Sequence, residues 1–169
     1  MKTSLIIKKL AANQAVFQHL FDSLSEEEIY WKPYPTHWCI LEILCHLHDN
    51  EHEDFKARVQ SVLENPNTPF ISIEPSLWVK ERAYLEQDFD EKLVAFLHKR
   101  NQSIKWLKGL EEPIWKNTYH HETYGSLTAR NLLINWLAHD NLHIRQITRI
   151  KYLYLQEYSG EDLTYAGKW

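Results

Sequence analysis

His139 and His143 stand four residues apart in the stretch Trp136-Leu-Ala-His139-Asp140-Asn-Leu-His143. On a helix, residues four apart share a face with Cβ atoms about 5–6 Å apart. That separation suits two neutral imidazoles on one divalent ion. With ten histidines in 169 residues, a chance pair at this spacing is the competing reading. At about 100° per residue, the apolar stripe of this segment centres between Trp136 and Ile147, with His143 roughly 40° and His139 roughly 80° from the centre. Both can therefore face a helical interior. Asp140 falls close to the centre itself. A buried carboxylate needs a partner, so Asp140 calls for an arginine, a histidine or a metal-bound water; a hydrogen-bonded core aspartate is an equal alternative.

A second histidine cluster lies in His46-Leu-His48-Asp49-Asn-Glu51-His52-Glu53. His48 and His52 form another pair four apart, and His48 lies nearer the apolar stripe than His46. His46 shares a separate stripe with Trp38, Glu42, Asp49 and Glu53, so periodicity alone does not select it. The alternative for all three is a solvated or partly buried flank. The two cysteines, Cys39 and Cys45, read as packing residues, since a nucleophilic thiol needs a nearby base and an electropositive setting. The chain has no Gly-x-Ser-x-Gly elbow, no phosphate-cradling glycine loop and no His-Glu-x-x-His zinc motif.

These residues must be held by helices. Four amphipathic stretches are readable between breaks marked by Pro and Gly. The first runs from Ser4 to Leu24 and is followed by a capping box at Ser25 and Glu28. The second runs from His37 to Glu64, with Thr36 as its N-cap. The third runs from Asp88 to Leu107. The fourth opens near Ser126 or Thr128 and runs to Tyr158, before an aromatic tail with Tyr165 and Trp169. Residues 66–87 read as a crossover with a helical turn, and 110–125 as a loop. Only four glycines are present, which argues against a many-stranded β fold. The expected architecture is all-α: one domain over residues 1–169, a four-helix bundle with a longer connection between the second and third helices.

Composition excludes several classes of function. Lys and Arg number 19 against 23 Asp and Glu, a net charge of −4, so there is no basic excess for nucleic acid. No run reaches the ~18–20 apolar residues of a membrane helix. The N-terminal apolar run breaks after Leu5-Ile-Ile7, too short for a secretory signal. Two cysteines without a Cys-x-x-Cys spacing suit a reduced compartment. A cytoplasmic protein is expected.

The motifs, taken together, resemble a known family. Trp38-Cys-Ile-Leu-Glu42-Ile-Leu-Cys-His46-Leu-His-Asp49-Asn-Glu51 resembles the DinB pattern of Trp, Glu four on, then His-Leu-x-Asp-x-Glu. The stretch from His121 through Gly125, Thr128, Leu132-Leu133, Trp136, His139-Asp140 and His143 to Gln146-Ile147 is similar to the C-terminal pattern of the same DinB/YfiT-like metalloenzymes. Cys39 stands where Ser or Thr is common, and Asn131 where Gln or Glu is common. The resemblance implies a four-helix bundle binding one divalent metal through His46, His139 and His143. It also implies a homodimer. Relatives carry out thiol-dependent transfer and isomerisation or are described as metal-dependent hydrolases.

Three imidazoles leave a coordination position for water or substrate and suit Zn or Ni better than Mg or Ca. Glu42 and Asp49 are candidate catalytic bases. Glu42, Asp49, Asp140 and Gln146 are candidates to orient the imidazoles, and Trp38, Trp136, His121 and Tyr124 could line a pocket, with core packing as the alternative for the aromatics. The first reading of function is a hydrolase acting on a small molecule through activated water. The second is a transferase using a low-molecular-weight thiol, and the third a non-enzymatic, metal-stabilised dimer acting in binding or stress response.

Overall fold

The computed structural model describes residues 1–167. Helix α1 (Thr3–Phe21) turns Ile6, Leu10, Phe17 and Phe21 inward at helical spacing. Helix α2 (Glu26–Tyr30) begins with the expected box: Ser25 Oγ accepts the Glu28 N–H at 3.2 Å, and Glu28 Oε2 accepts the Ser25 N–H at 2.9 Å.

The second long segment differs in detail from expectation. Helix α3 (Ile40–Asn50) starts at Ile40, not at His37, and Thr36 is not its cap. The chain turns at Tyr34-Pro35, where the His37 N–H donates to the Tyr34 carbonyl at 2.9 Å, and Cys39 stays extended. Glu42 then reaches back to accept the Cys39 N–H at 2.8 Å, which fixes the helix start. A single π-helical turn (Glu51–Phe55) joins α3 to α4 (Lys56–Glu64). Such a turn adds a residue and rotates the helix beyond it.

The crossover holds α5 (Pro75–Glu81), with Pro at its first turn, and a 3₁₀ turn at Tyr84–Glu86. Helix α6 (Phe89–Gly109) is capped by Asp88, whose carboxylate accepts the Glu91 N–H at 2.8 Å. Residues expected to form a loop instead contain an antiparallel hairpin, β1 (Thr118–His121) and β2 (Gly125–Thr128), with Thr118 opposite Thr128 and His121 opposite Gly125. Gly125 takes a positive φ of 68° at this turn, open to glycine without a Cβ penalty. Helix α7 (Ala129–Tyr158) is capped by Thr128, as the sequence suggests. Of the aromatic tail, Tyr165 is fully exposed; Trp169 lies outside the described residues.

Helices α1 and α7 run parallel: Asn13 meets Asp140, and the Leu20 carbonyl meets Lys151. Helix α6 is antiparallel to α1, since Arg100 reaches Leu10 and Gln14 reaches Leu97. Segment α3–α4 is antiparallel to α7, since His46 faces His143 and Glu51 faces Trp136. It follows that α3 and α6, consecutive long helices, run parallel. A parallel pair cannot be joined by a short turn, which is why the crossover between them is long. No helix among the described residues is long and apolar enough to cross a membrane.

Among the described residues, two apolar clusters fill the bundle and a third, with Leu41, Cys45, Trp78 and Tyr84, packs the crossover on α3. Of the bundle pair, one gathers Leu10, Val59, Leu133 and Trp136; the other gathers Phe17, Leu44, Phe96 and Ile147. Arg100 lies between them, its guanidinium within 6 Å of the rings of Phe17, Phe96 and Trp136. It holds Asp140 with two bonds of 2.7 and 2.8 Å and Glu51 Oε2 at 2.9 Å. All three residues are 1% exposed or less. Removing one partner of a buried charge group strands the others. Arg100→Met is expected to lower unfolding free energy by about 3–5 kcal/mol; a urea titration showing a loss below about 1 kcal/mol would contradict this role.

Candidate metal centre

Helix α3 brings His46, and α7 brings His139 and His143, to one point. His139 Nε2 lies 3.2 Å from His46 Nε2 and 3.1 Å from His143 Nε2. One nitrogen from each of the three lies within 4.8 Å of the others. A tetrahedral ion with bonds near 2.0–2.1 Å has ligand–ligand edges of about 3.3 Å. Two of the three edges, those from His139, lie close to that spacing, and the three convergent imidazole nitrogens fit a divalent ion of borderline softness.

Neighbouring side chains hold the rings. Gln146 Oε1 accepts from His143 Nδ1 at 2.8 Å, which leaves the Nε2 lone pair facing the centre. Asn50 Nδ2 donates to the His46 carbonyl at 3.0 Å and lies 3.0 Å from His46 Nδ1. The Trp38 ring packs 4.8 Å from His46, and Phe55 packs 4.8 Å from His139. Phe55 in turn stacks on Trp136.

Burial keeps all three rings neutral. It pushes His46 down to about 3, with repulsion from His143 adding to the effect. It pushes His139 down to about 2, with further contributions from His143, His46 and Arg100. His143 is also lowered by burial, against opposing contributions from Gln146 and Asp140. Neutral imidazole is the metal-binding form.

The other candidates take varied places. Gln146 and Trp38 touch the histidines directly, and both border a small cavity of about 80 Å³ that also meets Arg149 and His37. Asp140 lies in the core on Arg100, which is one of the three kinds of partner its position left open. Trp136 is core as well, its Nε1–H donating to Glu51 Oε2 at 3.2 Å. Neither candidate base has a free carboxylate. Glu42 caps its own helix and binds Lys32 at 2.8 Å. Asp49 accepts from Tyr84 Oη at 2.8 Å and pairs with Arg82 and His48 at 2.7 Å. Those hydrogen bonds outweigh the opposing effect of burial and hold its carboxyl down at about 2. His121 and Tyr124 lie on the hairpin in another groove of about 550 Å³, beside Asp54, Arg58 and Phe70. Their rings meet each other, and His121 also meets Phe70 and Tyr119. His48 binds Asp49 and stays outside the cluster.

Asn50, Glu51, Phe55 and Arg100 carry weight that residue spacing alone does not give them. Asp140 called for a partner without choosing among an arginine, a histidine and a metal-bound water, and nothing in local spacing marks Arg100. Asn50 was legible in principle, standing one turn after His46.

The DinB superfamily model matches residues 9–147. The chain belongs to the DinB superfamily. It shares its fold with YfiT from Bacillus subtilis, described as a probable metal-dependent hydrolase with an unusual four-helix bundle topology. The TM-score is 0.79 at 16% identity, covering 90% of this chain and 89% of YfiT. No curated protein matches at a significant level. The parallel α3–α6 pair sets this bundle apart from a simple up-and-down arrangement.

The buried histidines make stability depend on pH. Their folded pKa values lie below the ordinary value of 6.5, so below that pH the unfolded chain binds protons that the folded chain does not. The contribution is complete above about pH 6.5 and is lost as pH falls toward the folded values. His46 and His139 alone bring the slope toward about 3 kcal/mol per pH unit, and His143 adds in the same direction. The chelator-stripped protein is therefore expected to show a sharply lower urea midpoint at pH 5 than at pH 7. A variant with Gln at His46, His139 and His143 should flatten that difference; equal midpoints in the unaltered protein would refute the burial argument.

Proposed function

We propose that this protein is a metal-dependent hydrolase whose divalent ion, zinc or nickel, is held by His46, His139 and His143. The convergence of three neutral imidazoles, with the Nε2 atoms of buried His46 and His143 at 3.2 and 3.1 Å from that of half-buried His139, carries this reading. The hydrolase description of YfiT supports it as to class. His46, His139 and His143 would hold a divalent ion, which when bound would supply Lewis acidity and a water of pKa near ~7. The chain's own residues prepare for that chemistry. Gln146 fixes the His143 ring, and Asn50 fixes the turn that carries His46. Trp38 and Phe55 flank the rings and limit solvent. Glu42 and Asp49 act by positioning: Glu42 sets the start of the helix bearing His46, and Asp49 ties that helix to the crossover. The substrate is a small molecule reaching the ion beside Trp38 and Gln146.

Elemental analysis of tag-free protein tests this directly. About one zinc or nickel per chain is expected, lost in His46→Ala, His139→Ala and His143→Ala, each still helical by circular dichroism. His48→Ala should keep its metal. Hydrolysis of activated esters by the loaded protein should disappear with the metal in a chelator. Retention of metal in any of the three alanine variants would overturn the ligand set.

A further inference from the structure

The buried cluster behind the histidines is not electrically balanced. Arg100 contributes one positive charge, while Glu51 and Asp140 contribute two negative ones, all at 1% exposure or less. Its other polar contacts, Asn13 and Trp136, are neutral. Glu51 Oε2 takes both the Arg100 and Trp136 hydrogen bonds, and Glu51 Oε1 is buried with no hydrogen-bond partner. Most buried carboxylate oxygens are paired, so an orphan needs an explanation. The cluster also adjoins the metal centre. Asp140 is the chain neighbour of His139, and Trp136 stacks on the Phe55 ring that packs against His139.

We infer that the excess negative charge, carried by Glu51, is the built-in counter-charge for a dication held by three neutral imidazoles. Resting on the metal-site reading, this makes Glu51 a positioning residue that acts on the ion through charge rather than by ligation. Three uncharged donors do nothing to neutralise a divalent ion, and the side chains that touch them, Trp38, Phe55, Gln146 and Asn50, carry no charge either. A surplus carboxylate in the adjoining low-dielectric core offsets part of the ion's charge. The same carboxylate burdens the protein when the ion is absent. Charge compensation therefore predicts opposite effects on affinity and on metal-free stability, which a merely structural carboxylate does not.

The test is Glu51→Gln, in which the amide oxygen still accepts from Arg100 Nε and Trp136 Nε1. Zinc affinity is read by competition with a chelating dye, and metal-free stability by urea unfolding. The expected result is at least about tenfold weaker zinc binding, with a metal-free urea midpoint equal to or above that of the unaltered protein. Ser103→Ala, which removes the other unpartnered buried oxygen but no charge, should leave zinc affinity unchanged. If Glu51→Gln does not fold, Glu51→Met removes the same charge and is expected to weaken zinc binding at least as much. Unchanged zinc affinity in the folded variant would overturn the inference and leave the metal site standing. A lower metal-free midpoint with unchanged affinity would make Glu51 structural only. Failure of the unaltered protein to bind zinc would bring down the metal-site reading and this inference with it.

Discussion

Every long segment of this bundle meets at one guanidinium. Arg100, on α6, bonds Asp140 on α7 and Glu51 on the π-helical turn, and Asp140 also accepts from Asn13 on α1. No apolar contact could fix four segments so specifically, because hydrophobic packing is tolerant of rotation and slippage while a planar, bidentate ion pair is not. Burying three charges is costly unless geometry and hydrogen bonding are good. Here Arg100 uses its fork on Asp140 and its Nε on Glu51, and flanking aromatic rings close the layer above and below. The rotation of α7 that points Asp140 inward also turns His139 and His143, on the same helix, toward α3. The polar layer thus sets the angle at which the metal centre is assembled.

The π-helical turn serves the same end from the opposite side. His46 and Glu51 are five residues apart and both buried. A regular α-helix would rotate Glu51 about 140° away from His46. The Glu51 N–H still bonds the Leu47 carbonyl four residues back, so that rotation holds and sends the ring nitrogen to the centre and the carboxylate to Arg100, while the wider turn beyond Glu51 sets where the Phe55 ring meets His139. Behind this face, Asp49, Glu53, Arg82 and Tyr84 lash the crossover to the segment. The long connection forced by parallel α3 and α6 is thereby held against the helix it left.

The long helices were legible because their apolar residues recur at helical spacing and their ends carry recognisable caps, as at Ser25 and Thr128. The choice between His46 and His48 was not. Residues 39–47 are all buried, so that stretch has no polar face against which a stripe can be measured. It then enters a π turn, where a fixed 100° per residue no longer holds. Family resemblance pointed to His46, and the geometry brings His46 to the other two histidines. The hairpin was hidden for a different reason. Its strands are four residues long and carry Thr, His and Ser at positions where alternation would show. The need of Asp140 for a partner was visible on the wheel, but the partner lies forty residues away, and only the packing of α6 supplies it.

The same packing decides which groups are left to do chemistry. Burial raises the Cys39 thiol to about 11 and the Cys45 thiol to about 12, so neither is a thiolate at neutral pH. Glu42 and Asp49 are near the centre in sequence, yet their oxygens are occupied by a helix start, Lys32, Tyr84 and Arg82. The buried acids behind the centre face an arginine. Among these groups, the imidazole nitrogens alone are neutral, convergent and directed at a common point. With Glu42 and Asp49 both engaged, the candidate site draws its power from whatever charge those nitrogens hold in place. The rest of the molecule is built to keep the three rings uncharged and correctly turned, and to keep their surroundings dry.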